Sequence, residues 1–156
     1  MRTLIVLRHA KAASVPGLVD WERPLTDQGE QDAKRAGEEI RAAGLVPDVV
    51  LCSPAARTRR TAELAFPGVE VSYERDIYEA YPDELLELLR RADPEAGTVA
   101  LCGHNPGVHE LALGLAGGDY GFRPGSFAAI AVEPPWEQLS PGEGRLINRW
   151  APDKGH

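Results

Sequence analysis

Three short, wholly apolar runs constrain this chain most, because each ends on a turn that carries basic or polar side chains. Leu4-Ile5-Val6-Leu7 runs into Arg8-His9, Val49-Val50-Leu51 runs through Cys52-Ser53-Pro54 to Arg57, and Val99-Ala100-Leu101 runs into Gly103-His104-Asn105-Pro106. Such runs suit strands buried on both faces of a parallel sheet. Helical patterns separate them. Thr26 can cap a helix in which Ala33, Ala36, Gly37, Ile40 and Ala43 recur at three-to-four spacing, with Gly44 as its stop. Pro54 suits a helix first turn, and Arg57 to Leu64 continues that helix. Pro82 opens a helix striped with Leu85, Leu86, Leu88 and Leu89, and Pro106 starts another with Val108, Leu111, Ala112 and Leu115, closed by Gly117-Gly118. Residues 10–26 form a loop broken by Pro16, Gly17 and Pro24, and Val69 to Tyr73 alternates as a short strand. Ser126–Val132 and Leu146–Trp150 are late strands, joined by a proline-rich loop or hairpin. This alternation predicts a three-layer α/β/α sandwich with a mostly parallel central sheet, one domain over residues 1–156.

Composition narrows the function classes. A chain of 156 residues buries about 70% of its unfolded surface. No apolar stretch approaches the roughly 20 residues of a membrane span, and the N-terminal run is too short for a signal peptide. A cytoplasmic protein with no membrane partner is expected. A net charge of −7 argues against nucleic-acid binding, which needs a basic face, and makes any basic pocket a local exception. Cys52 and Cys102 end apolar runs and read as buried, reduced thiols. A zinc site from Cys102, His104 and His109 lacks the paired ligand spacing of zinc motifs, and neither an Asp-rich metal constellation nor a Walker-type loop is present. No cofactor or metal is expected, and the protein is expected to be a monomer.

Ligands of open α/β sheets bind outside the carboxyl ends of the strands. Two histidines and two arginines gathered at that edge would form a pocket for a dianion, with phosphate the obvious candidate. His9 follows a buried strand with Arg8 beside it. Attack on phosphorus needs an unprotonated imidazole nitrogen, and nearby cations favour that state while holding the phosphoryl oxygens. Arg57 near a helix start adds a planar fork to a terminus that already favours anions, although pairing with Glu63 would also account for it. His104 can donate to a phosphoryl oxygen, and Asn105 shapes the same turn and is a further candidate for phosphate binding. A cysteine-phosphatase loop is excluded by spacing: four residues separate Cys52 from Arg57, and the position that loop requires holds Thr58.

Together, Leu7-Arg8-His9, Ser-Pro-x-x-Arg-Thr over residues 53–58 and Gly103-His104-Asn105-Pro106 resemble the histidine phosphatase superfamily. The short length, Arg-His-Ala-Lys at 8–11 and Glu22-Arg23-Pro24-Leu25-Thr26 resemble its SixA-type phosphohistidine phosphatase branch, and the match runs over about residues 1–132. The resemblance implies a phosphoglycerate-mutase-like fold and a two-step hydrolysis. His9 would be transiently phosphorylated, with Arg8, Arg57 and His104 around the phosphoryl group. Arg23 matches a further arginine of the branch near the pocket mouth, while pairing with Asp20 or Glu22 would also explain it. Glu79 matches the place of a general acid after the third strand. Its help matters for an alkoxide leaving group and less for an imidazole.

A short chain leaves little room for an insert over the pocket, which suits a phosphorylated side chain on another protein. The expected activity is metal-independent hydrolysis of phosphohistidine in a partner protein. The alternatives are a phosphomonoesterase acting on a small phosphate ester and a non-catalytic phosphoprotein-binding module.

Overall fold

The computed structural model describes residues 1–153. Six strands form one sheet in the order β3-β2-β4-β1-β5-β6, with β1 at Arg2–Arg8, β2 at Val49–Cys52, β3 at Val71–Tyr73, β4 at Thr98–Gly103, β5 at Phe127–Val132 and β6 at Gly144–Trp150. The pairs β2–β3, β2–β4 and β1–β4 are parallel, whereas β5 runs against both of its neighbours. β6 thus points the same way as β1, and the mostly parallel sheet expected from the sequence is found. Leu4 to Leu7 are fully buried, as a central strand covered on both faces requires.

Four helices supply the cover: α1 at Asp27–Ala42, α2 at Ala56–Ala65, α3 at Pro82–Arg90 and α4 at Gly107–Ala116. Alternation along β1 divides the core. Leu4 and Val6 face the leucine stripe of α3 together with Val108, Leu111 and Leu115 of α4. Ile5 and Leu7 face Ala36 and Ile40 of α1 and Ala62 and Ala65 of α2. Thr26 caps α1, its hydroxyl oxygen accepting from the Gly29 amide at 2.9 Å.

Two local expectations are corrected. Helix α2 starts at Ala56, so Pro54 lies before the helix and Arg57 is its second residue. Ser53 causes the delay: its carbonyl accepts from the Thr58 hydroxyl at 2.8 Å and its hydroxyl from the Ala55 amide at 3.3 Å, which holds residues 53–55 outside the helix. The proline-rich connection between β5 and β6 is also more than a loop. It contains a short helical turn, Trp136–Gln138, whose Trp136 is fully buried and donates from Nε1 to the Ala96 carbonyl at 2.8 Å.

Candidate active site

Strand register brings the polar turns together. Cys52 pairs with Cys102 across β2–β4, and Arg8 with Gly103 across β1–β4, so Ser53, His104 and His9 leave three adjacent strands at the same edge. The His9 amide donates to the Gly103 carbonyl at 3.0 Å, and the His9 carbonyl accepts from the Gly125 amide at 2.9 Å. Gly103 closes the space beneath: a Cβ there would lie 2.9 Å from a Val108 methyl and 3.0 Å from an Ile77 methyl.

The imidazoles of His9 and His104 face each other with centroids 5.3 Å apart, each residue only 9% exposed. His9 Nδ1 lies 2.7 Å from the Ala10 carbonyl oxygen. A carbonyl only accepts, so Nδ1 carries the proton and the neutral ring has its lone pair on Nε2. Burial holds the His9 pKa down, to about 4, and Arg8, Arg57 and Arg23 push the same way, while the bond to Ala10 opposes them. Desolvation is the larger cause, ahead of the cations to which the sequence points. His104 is lowered further, to about 3, by burial and then by His9 and Arg57. Its Nε2 lies 2.8 Å from the Ser53 hydroxyl, and its buried Nδ1 has no hydrogen-bond partner among the described residues.

Three arginines surround this pair. Arg8 donates from one terminal nitrogen to the Phe122 carbonyl at 3.1 Å, and its buried Nε has no partner among the described residues. Arg57 is 6% exposed and donates to the Asp20 carbonyl at 2.8 Å and to Asp20 Oδ2 at 2.9 Å. Arg23 donates to Asp20 Oδ1 at 3.1 Å and to the Ala13 carbonyl at 3.0 Å. Asp20 opens a short helical turn, Asp20–Glu22, within the 10–26 loop. The Tyr78 hydroxyl also donates to Asp20 Oδ2, at 2.6 Å, and the Tyr78 ring stands edge-on to both Trp21 and His104.

The fold therefore gathers Arg8, His9, Arg57 and His104, with Arg23 reaching them through Asp20. Asn105 donates to the Phe122 carbonyl at 2.9 Å, which ties its turn to the segment that Arg8 also grips. Glu79 adjoins Tyr78 but is exposed, makes no hydrogen bond or ion pair among the described residues, and has the left-handed φ of 58°. Cys52 and Cys102 are buried free thiols. His109 donates from Nε2 to the Tyr120 carbonyl at 2.8 Å, since a carbonyl only accepts. Among the described residues no group of His, Cys, Asp or Glu is arranged to hold a metal ion, and no helix is long and apolar enough to cross a membrane. Ser53 and Tyr78 are not singled out by the sequence, and Asp20 enters there only as a partner for Arg23, a pairing the structure contains. Ser53 lay inside the quoted motif, and an Asp three residues before Arg23 was a usable signal for Asp20; nothing local marked Tyr78.

Comparison with known proteins agrees with this geometry. The family model described as histidine phosphatase superfamily (branch 1) matches residues 4–105. An uncharacterized protein of Mycobacterium tuberculosis is 33% identical over 159 aligned residues, covering 94% of this chain and 99% of its own. The structure of a candidate phosphohistidine phosphatase SixA from Nakamurella multipartitia superposes with a TM-score of 0.90 at 30% identity, covering 97% of this chain and 96% of that one. The corresponding candidate SixA from Agrobacterium tumefaciens gives 0.83 at 30% identity, covering 97% and 98%.

Proposed function

This chain belongs to the histidine phosphatase superfamily, in its SixA-type branch, and we propose that it hydrolyses phosphohistidine in a partner protein through a covalent intermediate on His9. The hydrogen bond from His9 Nδ1 to the Ala10 carbonyl carries this reading. It turns a bare Nε2 into a pocket where burial keeps the ring neutral. Nε2 attacks phosphorus while the bond to the leaving group breaks, and its electron pair departs with that group. Water then attacks the phosphorylated His9, releasing phosphate and restoring the free ring.

Phosphoryl transfer demands alignment and charge stabilisation more than covalent help. Arg8, Arg57 and Arg23 supply the charge and the N–H donors, so the reaction is metal-independent. Ser53 sets the state of His104. Among the described residues the serine proton meets one acceptor, His104 Nε2, which leaves a proton on Nδ1 to donate to a phosphoryl oxygen. Asn105 acts through the turn it braces. Glu79 is the general acid only for ester substrates, whose alkoxide must be protonated to leave.

Assays on a phosphohistidine protein and on an alkyl phosphate, with wild type and Glu79→Gln, test the assignment. Turnover of phosphohistidine that survives Glu79→Gln is expected. Turnover confined to the alkyl phosphate and abolished by Glu79→Gln would instead make the protein a small-molecule phosphomonoesterase.

A further inference from the structure

The carboxylate of Asp20 is the most heavily bonded acidic group at the pocket, and the phosphoryl chemistry above leaves it without a task. Its Oδ2 accepts from Arg57 and from the Tyr78 hydroxyl, and its Oδ1 accepts from Arg23. Yet Asp20 does not fill the arginine forks. A guanidinium has five N–H donors. Arg57 gives two to Asp20, and Arg23 gives one to Asp20 and one to Ala13, so each keeps three for phosphoryl oxygens.

Position separates Asp20 from the phosphoryl pocket itself. The Asp20 side chain is 49% exposed, whereas the Arg57 side chain beneath it is 8% exposed. The carboxylate therefore stands outward of the buried Arg57 and His9, at the mouth. A group displaced in line by His9 Nε2 departs on the side away from His9, past that mouth. A phosphoryl-bearing imidazole leaves easily only when its other ring nitrogen is protonated, and a carboxylate accepting from that N–H favours the protonated form.

We propose that Asp20 selects the leaving group, its carboxylate accepting a hydrogen bond from the distal ring N–H of the substrate phosphohistidine. The assignment rests on the phosphohistidine reading above. The bond from His9 Nε2 to phosphorus forms as the substrate P–N bond breaks. That electron pair returns to the substrate nitrogen, the distal proton stays where it is, and a neutral imidazole departs with Asp20 still ionised. An ester substrate offers no such N–H and gains from Asp20 only what its hold on Arg57 and Arg23 supplies.

The test compares phosphohistidine peptide with p-nitrophenyl phosphate, whose leaving group departs without a proton, for wild type and Asp20→Asn. The variant should lose about tenfold more in kcat/KM on phosphohistidine than on the aryl ester, the loss common to both substrates coming from its grip on Arg57 and Arg23. Equal losses on both substrates would reduce Asp20 to a holder of Arg57 and overturn the proposal, as would no loss on either. Should Asp20→Asn fail to fold, Tyr78→Phe keeps the ring packing and drops only the hydroxyl that grips Asp20. A loss confined to phosphohistidine then supports the proposal, and an equal loss overturns it. Wild type inert toward phosphohistidine but active on the aryl ester is a separate outcome, which removes the substrate reading and this assignment with it.

Discussion

At the scale of single residues, one short hydrogen bond decides what His9 can do. The Ala10 carbonyl fixes the tautomer, and burial fixes the charge, so the ring is neutral with its lone pair on Nε2, the state the proposed nucleophile requires. A ring 15N titration should find His9 neutral with its proton on Nδ1, and a midpoint near 4 instead of the usual value near 6.5. A midpoint near 6.5 would mean a solvated ring. The same burial couples to stability. In the unfolded chain His9 protonates near 6.5 and in the folded protein near 4, so the unfolded state binds more protons between those values. Stability should accordingly be complete above pH 6.5 and fall as pH drops towards 4, by about 3 kcal/mol from this residue.

Among the elements, close packing of α1 on α2 aims Arg57. Gly37 sits where a Cβ would run into the Ala65 carbonyl and lie 2.8 Å from the Ala65 Cα. Gly37→Ala sets two effects against each other. Helix propensity gains about 1 kcal/mol, while the clash is with backbone, which has no rotamer to yield, and overpacking costs about 1–3 kcal/mol. The clash should win, lowering the urea midpoint, and the displaced α2 should weaken phosphate binding with it. A raised midpoint would show that the helices separate freely. The turn that carries Asp20 is anchored just as closely. The Thr26 amide donates to the Lys11 carbonyl at 2.9 Å, Ala12 bridges to Leu25, and Gly29 makes room for that same Lys11 carbonyl.

Seen as a whole molecule, the legible parts were those written locally. Buried runs, caps and glycine stops gave β1, β2, β4 and α1 with shifts of a residue or two, and the order of motifs placed Arg8, His9, Arg57 and His104 at one edge. What the sequence hid depends on distant contacts. Trp136 reads as a loop residue because its burial comes from α3 and the Ala96 carbonyl. Asp20 and Tyr78 are 58 positions apart, and no local pattern joins them. One side of the pocket carries a wall that no local pattern announces: the Tyr78 ring stands against His104, Trp21 stands against Tyr78, and Asp20 accepts from the Tyr78 hydroxyl.

Every step of the proposed reaction passes through one bond between His9 Nε2 and phosphorus. Rapid acid-free quenching after mixing with a 32P-labelled phosphoramidate donor, followed by peptide mapping, tests that bond directly. An acid-labile, alkali-stable label on His9, absent from His9→Ala, is the result expected of that bond. Phosphate released at the wild-type rate by His9→Ala, or a label mapped to another residue, would contradict it.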